Sequence, residues 1–310
     1  MPIHTRPFDP ARDDFEKMGR FLQEDYAAKR DDFIWLFSRL GDWKYGLWHE
    51  QKYFPSFFRK HAQLWFDDGG RLLGFVLSED GGSDIAILVR EGHEDLYAVI
   101  LDWTIAHWGP RHGTLKIEVH ARPPAAMQAL ERAGFISRGE VAVTRVYDLT
   151  AQATRPVGLR PGYRIVDMLE NSDWRSKGLL YRSGFHDEDQ VSALDLLKFE
   201  YNRESPAYNP AFDLSVIATD GAHVSTCVGF ADPEAQMAEV EKVCTHARYR
   251  RLGLAEAVIR ECFHRLRRSG IERAYITGYG DRANALYEKL GPCARKHWFL
   301  YELALKPVST

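Results

Sequence analysis

Along the chain, apolar residues recur first at helical and then at strand intervals, and that order is then repeated. Residues 7–40 carry mixed charge over helically spaced apolar positions, and an aromatic-rich segment follows at 33–65. The short apolar runs 71–77 and 85–89 bracket Gly81 and Gly82, which is the pattern of a β-hairpin. A helix is predicted at 94–108, a strand at 114–119, a helix at 124–132 and a strand at 141–147. Residues 150–161, with Pro156, Gly158, Pro161 and few apolar side chains, read as a linker.

Beyond the linker the order returns. Helices are predicted at 172–181 and 191–203, then strands at 214–219, 225–230 and 239–245. A helix at 254–267, a strand at 274–277, a helix at 283–290 and a strand at 298–303 complete the chain. Two stretches match across the halves: LLGFVLSEDGGSDIAIL from Leu72 with TCVGFADPEAQMAEVEKV from Thr226, and ALERAGF from Ala129 with LYEKLGP from Leu286. An internal duplication accounts for both. The expected class is mixed α/β (α+β), with each half a mostly antiparallel sheet flanked by helices, and the expected domains are 1–150 and 157–310.

One stretch adds chemistry to this pattern. In 239–255 an apolar strand runs into a compact basic turn, with Arg248, Arg250, Arg251 and Gly253, that opens directly onto a helix. The first amides of a helix have no intrahelical acceptor and lie at the positive end of its dipole, so the turn is a candidate anion site, most simply for a phosphate. The chain as a whole carries a net charge of −3, so any attraction to an anion is local to this turn, and nucleic acid is not an expected partner. Its 310 residues, 45% hydrophobic and 27% charged, are ample for two cores. No run approaches a membrane span and the first residues lack a signal-peptide core, so a cytoplasmic location without membrane attachment is expected. Cys227, Cys244, Cys262 and Cys293 show no metal-ligand spacing; they are expected to be buried small hydrophobes, with no metal bound.

Arg250-x-x-Gly253-x-Ala255 after a strand, followed by a helix, a strand and Ala283 with Leu286-Tyr287-Glu288-Lys289-Leu290-Gly291, resembles the GNAT (GCN5-related N-acetyltransferase) superfamily. The resemblance covers 214–303 well and 72–149 as a degenerate copy, giving a tandem-GNAT chain with two acyl-CoA N-acyltransferase folds. It implies that acetyl-CoA is the cosubstrate. Its pyrophosphate would be held by Arg250, Arg251, Leu252, Gly253, Leu254 and Ala255, and its pantetheine arm by Val243, Cys244 and Thr245 where two central strands splay. It further implies that Tyr287 is the general acid at the thioester sulfur, and that Glu241 or Glu239, which share a strand face, draws the proton from the amine. His246 is a further base candidate. Many relatives carry an Asn seven residues before the tyrosine; here that position is Gly280, with Asn284 as a neighbouring contact for the coenzyme.

The first half lacks the corresponding parts: residues 89–94 contain no Gly-x-Gly or Gly-x-Ala turn, and Leu130 stands where the second half has Tyr287. Only the second half is therefore expected to bind the coenzyme. The resemblance implies an N-acetyltransferase acting on a primary amine of a small molecule or peptide; a noncatalytic acyl-CoA sensor and a transferase of longer acyl chains stay open. Asp187, Glu188 and Asp189 would favour a cationic acceptor if they line the cleft. Oligomeric state is not legible in the sequence.

Overall fold

The computed structural model describes residues 2–29, 33, 35–46, 54–120, 125–151 and 158–305. In chain order these form β1 (Ile3–Pro7), α1 (Asp14–Lys29), α2 (Phe37–Tyr45), α3 (Pro55–His61), β2 (Ala62–Asp67), β3 (Leu72–Ser78), β4 (Asp84–Val89), α4 (Leu96–His112), β5 (Thr114–His120), α5 (Ala125–Arg132) and β6 (Ile136–Asp148). Then come β7 (Arg164–Asp167), α6 (Trp174–His186), α7 (Ala193–Asn202), β8 (Asp213–Ile217), β9 (His223–Asp232), β10 (Met237–Thr245), α8 (Leu254–Arg268), β11 (Arg273–Gly278), α9 (Asp281–Tyr287) and β12 (Ala294–Ala304). Of the expected linker, 152–157 lie outside the described residues, as do Trp48 and Tyr53 of the aromatic segment and Pro124 of the expected helix at 124–132.

The chain packs as two compact units that are not contiguous segments. One comprises Met1–Trp43, Leu47–Ala142 and Lys296–Thr310; the other comprises Lys44–Gly46 and Val143–Arg295. These units differ from a division at 1–150 and 157–310, because each takes its last sheet strand from the opposite half of the sequence.

In the first unit, β1 pairs β2, β2 pairs β3 and β3 pairs β4, all antiparallel. β4 then pairs β5 in parallel, and β5 pairs the C-terminal β12 antiparallel, with Tyr301 opposite Ile117. The second unit repeats the scheme. β7, β8, β9 and β10 form antiparallel neighbours, β10 pairs β11 in parallel, and β11 pairs residues 143–148 of β6, with Tyr147 opposite Ala274. No local sequence signal marks which sheet a strand joins, since its alternation is the same in either.

Each unit has its own core. In the second, α8 lays Leu254, Val258, Cys262 and Leu266 against Ala238 and Val240 of β10. In the first, Leu96, Ile100 and Leu101 of α4 meet Ile85, Ile87 and Val89 of β4. The Gly-Phe pair repeated at 74–75 and 229–230 marks the helix crossing. A Cβ at Gly74 would lie 3.0 Å from Ile100, and one at Gly229 would lie 3.1 Å from Cys262.

The aromatic segment is mostly core: Trp43 packs edge-on against Phe8 and Phe58, at 5.4 and 5.0 Å between ring centroids, and all three are buried. Trp35 also lines a cavity of about 480 Å³ in the first unit. Cys227, Cys244 and Cys262 are buried. No helix among the described residues is long and apolar enough to cross a membrane.

Candidate active site

The second unit contains the splayed strands that the motif requires. The β10–β11 ladder covers only Met237–Glu239 against Arg273–Tyr275. Beyond it β10 stays paired to β9 as far as Thr245, while β11 stays paired to β6 as far as Gly278. The two strands therefore part at Glu239. At the same place β10 is bulged: its register with β9 shifts between Glu241 and Cys244, and Lys242 adopts a φ of 54°. Such a bulge adds a residue and reverses which face the following side chains take. Ala238 and Val240 point to the α8 core, as does Val243 past the bulge. Cys244 points instead to α6, where a Cβ on Gly184 would come within 2.8 Å of it. Strict alternation from Glu239 would have put Cys244 beside Val240. Burial pushes the Cys244 thiol up to about 12, and its carbonyl accepts from the Ser225 hydroxyl at 3.1 Å.

The basic turn is built as an anion cradle is, with one difference in its arginines. Gly253, at φ 79° and ψ 4°, is the N-cap of α8, and no side chain caps the first amides. Arg251 is also left-handed at φ 66°, a conformation costly for a residue with a Cβ and frequent where function demands it. Leu254 anchors the start of the helix in the core. Arg250, expected at the phosphate, is committed elsewhere: its guanidinium donates to the Ser183 and Gly184 carbonyls at 3.4 and 3.3 Å and to Asp187 at 3.1 Å. A cation at the end of α6 is favoured by that helix's dipole, so Arg250 fastens the turn to α6. The Ala247 amide does the same by donating to Ser183 Oγ at 3.1 Å. Arg248, Arg251 and Gly253 are exposed, and Leu252 and Ala255 half-buried. The His246 ring caps the short turn by accepting from the Arg248 amide at 3.3 Å, a structural use of that histidine. Of the acidic turn, Asp187 is bound to Arg250 and Glu188 to Arg182.

Tyr287, the last residue of α9, is 5% exposed and belongs to the same core as Leu254. Burial, and next the Glu241 carboxylate, raise its phenol above the usual value; Arg145 opposes them. Glu239 is buried and Glu241 half-buried.

Arg145 of β6 escaped the sequence reading. It is 3% exposed and donates to Asn284 Oδ1 at 2.8 Å and to Glu288 Oε1 at 3.1 and 2.6 Å. Two residues further along β6, Tyr147 donates its hydroxyl proton to the Tyr287 carbonyl at 2.7 Å. Gly278 leaves the room that the Asn284 amide fills.

The first unit's equivalent turn is built from other residues. The Gly92 amide donates to the Glu94 carboxylate at 2.9 Å. Arg90 is bound to Glu24 and to the Leu72 carbonyl. Leu130 is wholly buried among apolar neighbours. Among the described residues, no group of three or more His, Cys, Asp or Glu side chains is placed to hold a metal ion.

Residues 168–291 match the model of the acetyltransferase (GNAT) family. That segment is a GNAT domain. It contains the strand opening, the α8 turn and α9, and it leaves out Arg145. The whole chain has the fold of solved GNAT structures. A GCN5-related N-acetyltransferase from Sphaerobacter thermophilus superposes with a TM-score of 0.65 at 17% identity, covering 98% of this chain and 96% of that one. A tandem GNAT protein from the clavulanic acid biosynthesis pathway gives 0.66 at 14% identity, covering 99% and 100%. A GNAT-family acetyltransferase from Colwellia psychrerythraea gives 0.61 at 11%, covering 97% and 99%. At these identities the likeness is one of fold. Among curated proteins no match was found. The family match is to 168–291, and the whole chain shares the fold.

Proposed function

We propose that the second unit transfers an acetyl group from acetyl-CoA to a primary amine of a small molecule or peptide, by direct attack in a ternary complex. The observation that carries this reading is Tyr287, buried in the same core as Leu254 at the start of the uncapped helix α8, in the unit where β10 and β11 part.

In that reading the amides of Leu252, Gly253, Leu254 and Ala255, with Arg251, face the pyrophosphate. The β10 backbone from Val243 to Thr245 serves the pantetheine arm, with Asn284 as a further donor. The amine lone pair attacks the thioester carbon and the carbon–sulfur bond breaks. The departing sulfur takes the Tyr287 proton and leaves as a thiol, while the proton of the attacking amine passes to Glu241 or Glu239 and on to solvent. A phenol held above its ordinary pKa is fully protonated at neutral pH, as an acid must be before it acts. Arg250 contributes by fixing the turn to α6.

The test is thiol release from acetyl-CoA across an amine panel. Wild-type turnover with at least about a hundredfold loss in Tyr287→Phe supports the assignment. Coenzyme binding without turnover on any amine indicates a sensor, and preference for longer thioesters in a donor-length competition indicates a different acyl group. Calorimetry is expected to find one coenzyme per chain; two would overturn the exclusion of the first unit.

A further inference from the structure

The duplication supplies an internal comparison for Arg145. In each unit, 13 residues separate the strand position opposite the paired tyrosine from the helix position of interest: Ile117 to Leu130, and Ala274 to Tyr287. Tyr301, opposite Ile117, then corresponds to Tyr147, opposite Ala274. Both are buried and both bind the neighbouring helix, Tyr301 through Glu131 at 3.1 Å and Tyr147 through the Tyr287 carbonyl. This tyrosine belongs to the architecture, since it is present in both units.

Arg145 differs. It lies opposite Ile276, and its counterpart opposite Val119 is Phe299. In the first unit, at the same spacing, Met127 stands for Asn284 and Leu130 for Tyr287. Arginine, asparagine and tyrosine thus occur together in one unit and are replaced together by apolar residues in the other. A scaffold role for Arg145 would be needed equally in both.

The contacts show what the arginine does. A guanidinium has only donors, so the Asn284 carbonyl oxygen must face it, and the amide NH2 is turned to the other side. The same fork holds Glu288, on the far side of Tyr287 from Asn284, and Glu288 is held a second time by Arg295 at 2.6 Å. Asn284, within α9, and Glu288, just past its end, bracket Tyr287 along the chain. Glu241 and Arg145 act on its phenol with opposite sign.

We propose that Arg145, contributed by the strand that closes the N-terminal half, is a positioning residue of the second unit's site: it sets the Asn284 amide and, by holding Asn284 within α9 and Glu288 just past its end, fixes the phenol of Tyr287 between them for proton transfer. This rests on the acyl-transfer reading above.

The test is a double-mutant cycle. kcat and KM for acetyl-CoA are measured for wild type, Arg145→Met, Tyr287→Phe and the double variant, with melting temperature and circular dichroism for each. Arg145→Met is expected to lower kcat about tenfold or more, and to cost less than about twofold once Tyr287 is already phenylalanine, because it acts through that phenol. Arg145→Lys is expected to recover part of kcat, since one ammonium reaches Asn284 or Glu288 but does not span both. Independent, multiplicative losses, or a kcat of Arg145→Met within about twofold of wild type, would overturn the proposal while leaving the acetyltransferase intact. Should Arg145→Met fail to fold, Arg145→Gln carries the same cycle with the same two outcomes. Wild-type protein that releases no thiol with any amine removes the function and this proposal together.

Discussion

At the residue scale, the site depends on a few positions where backbone or packing leaves no latitude. Asp187, Lys242 and Arg251 are three of the four described non-glycine residues with positive φ, at the end of α6, the β10 bulge and the α8 turn. The fourth, Gln236, is in the β9–β10 turn. Strain of this kind persists where surrounding structure overrides it. Gly278 is constrained by a side chain: an added Cβ would meet Asn284 Oδ1. Because Arg145 holds that oxygen, the amide cannot swing away without breaking a hydrogen bond. Gly278→Ala is expected to cost about 1–3 kcal/mol by overpacking and to lower kcat/KM, read by denaturant titration and steady-state kinetics. Tyr287 and Gly253 were singled out by motif and spacing. Arg145 was not, because its partners lie 139 and 143 residues away.

At the element scale, α6 is the support for the turn and for β10. Gly184 lets it approach Cys244, and Arg250 joins its last carbonyls to the turn. Its inner side carries Lys177, wholly buried, which binds Asp213 and donates to Ser215 and Thr226 at 3.2 and 3.1 Å. Tyr208 donates to the same aspartate at 2.9 Å. A buried pair adds little against an apolar replacement of both partners, but removal of one strands the other's charge. Lys177→Met is therefore expected to cost about 3–5 kcal/mol, and Lys177→Met with Asp213→Leu to recover much of it, measured by urea unfolding. The acidic turn that follows α6 was expected to face a cationic acceptor if it lined the cleft. Two of its three acids are bound to arginines of the same unit.

At the scale of the whole molecule, strand exchange ties the fate of each unit to the opposite half of the sequence. Deleting 296–310 removes the partner of β5, so hydrogen exchange is expected to speed at Leu115 and Ile117 of the first unit while α8 of the second stays protected. Equal loss in both would argue against separate cores. Acid sensitivity is also expected. His223 is 2% exposed with neither ring nitrogen bonded; burial, and next the Lys177 charge, lower its pKa from 6.5 to about 4. The unfolded chain takes up this proton from about pH 6.5 downward, whereas the folded protein resists until about pH 4. Stability is thus full above pH 6.5, falls between 6.5 and 4, and levels off below, by about 3 kcal/mol in all. His223→Gln is expected to flatten that part of the stability curve.

The sequence by itself determined the central strands and most helices, the repeat and the placing of the candidate site; β1, α3, β2 and β7 it did not show. What it determined rests on local causes: apolar periodicity, a glycine able to adopt positive φ at 253, and a tyrosine in the helix after the next strand. It also showed that the first half has no Gly-x-Gly or Gly-x-Ala turn at 89–94. Tertiary structure decided the rest. The exchange of β6 and β12, the bulge that turns Cys244 to α6, the use of Arg250 at a helix end and the placement of Arg145 all depend on contacts between distant segments. Strand alternation looks the same whichever sheet a strand enters, and an arginine's five donors carry no mark of the acceptors they will find.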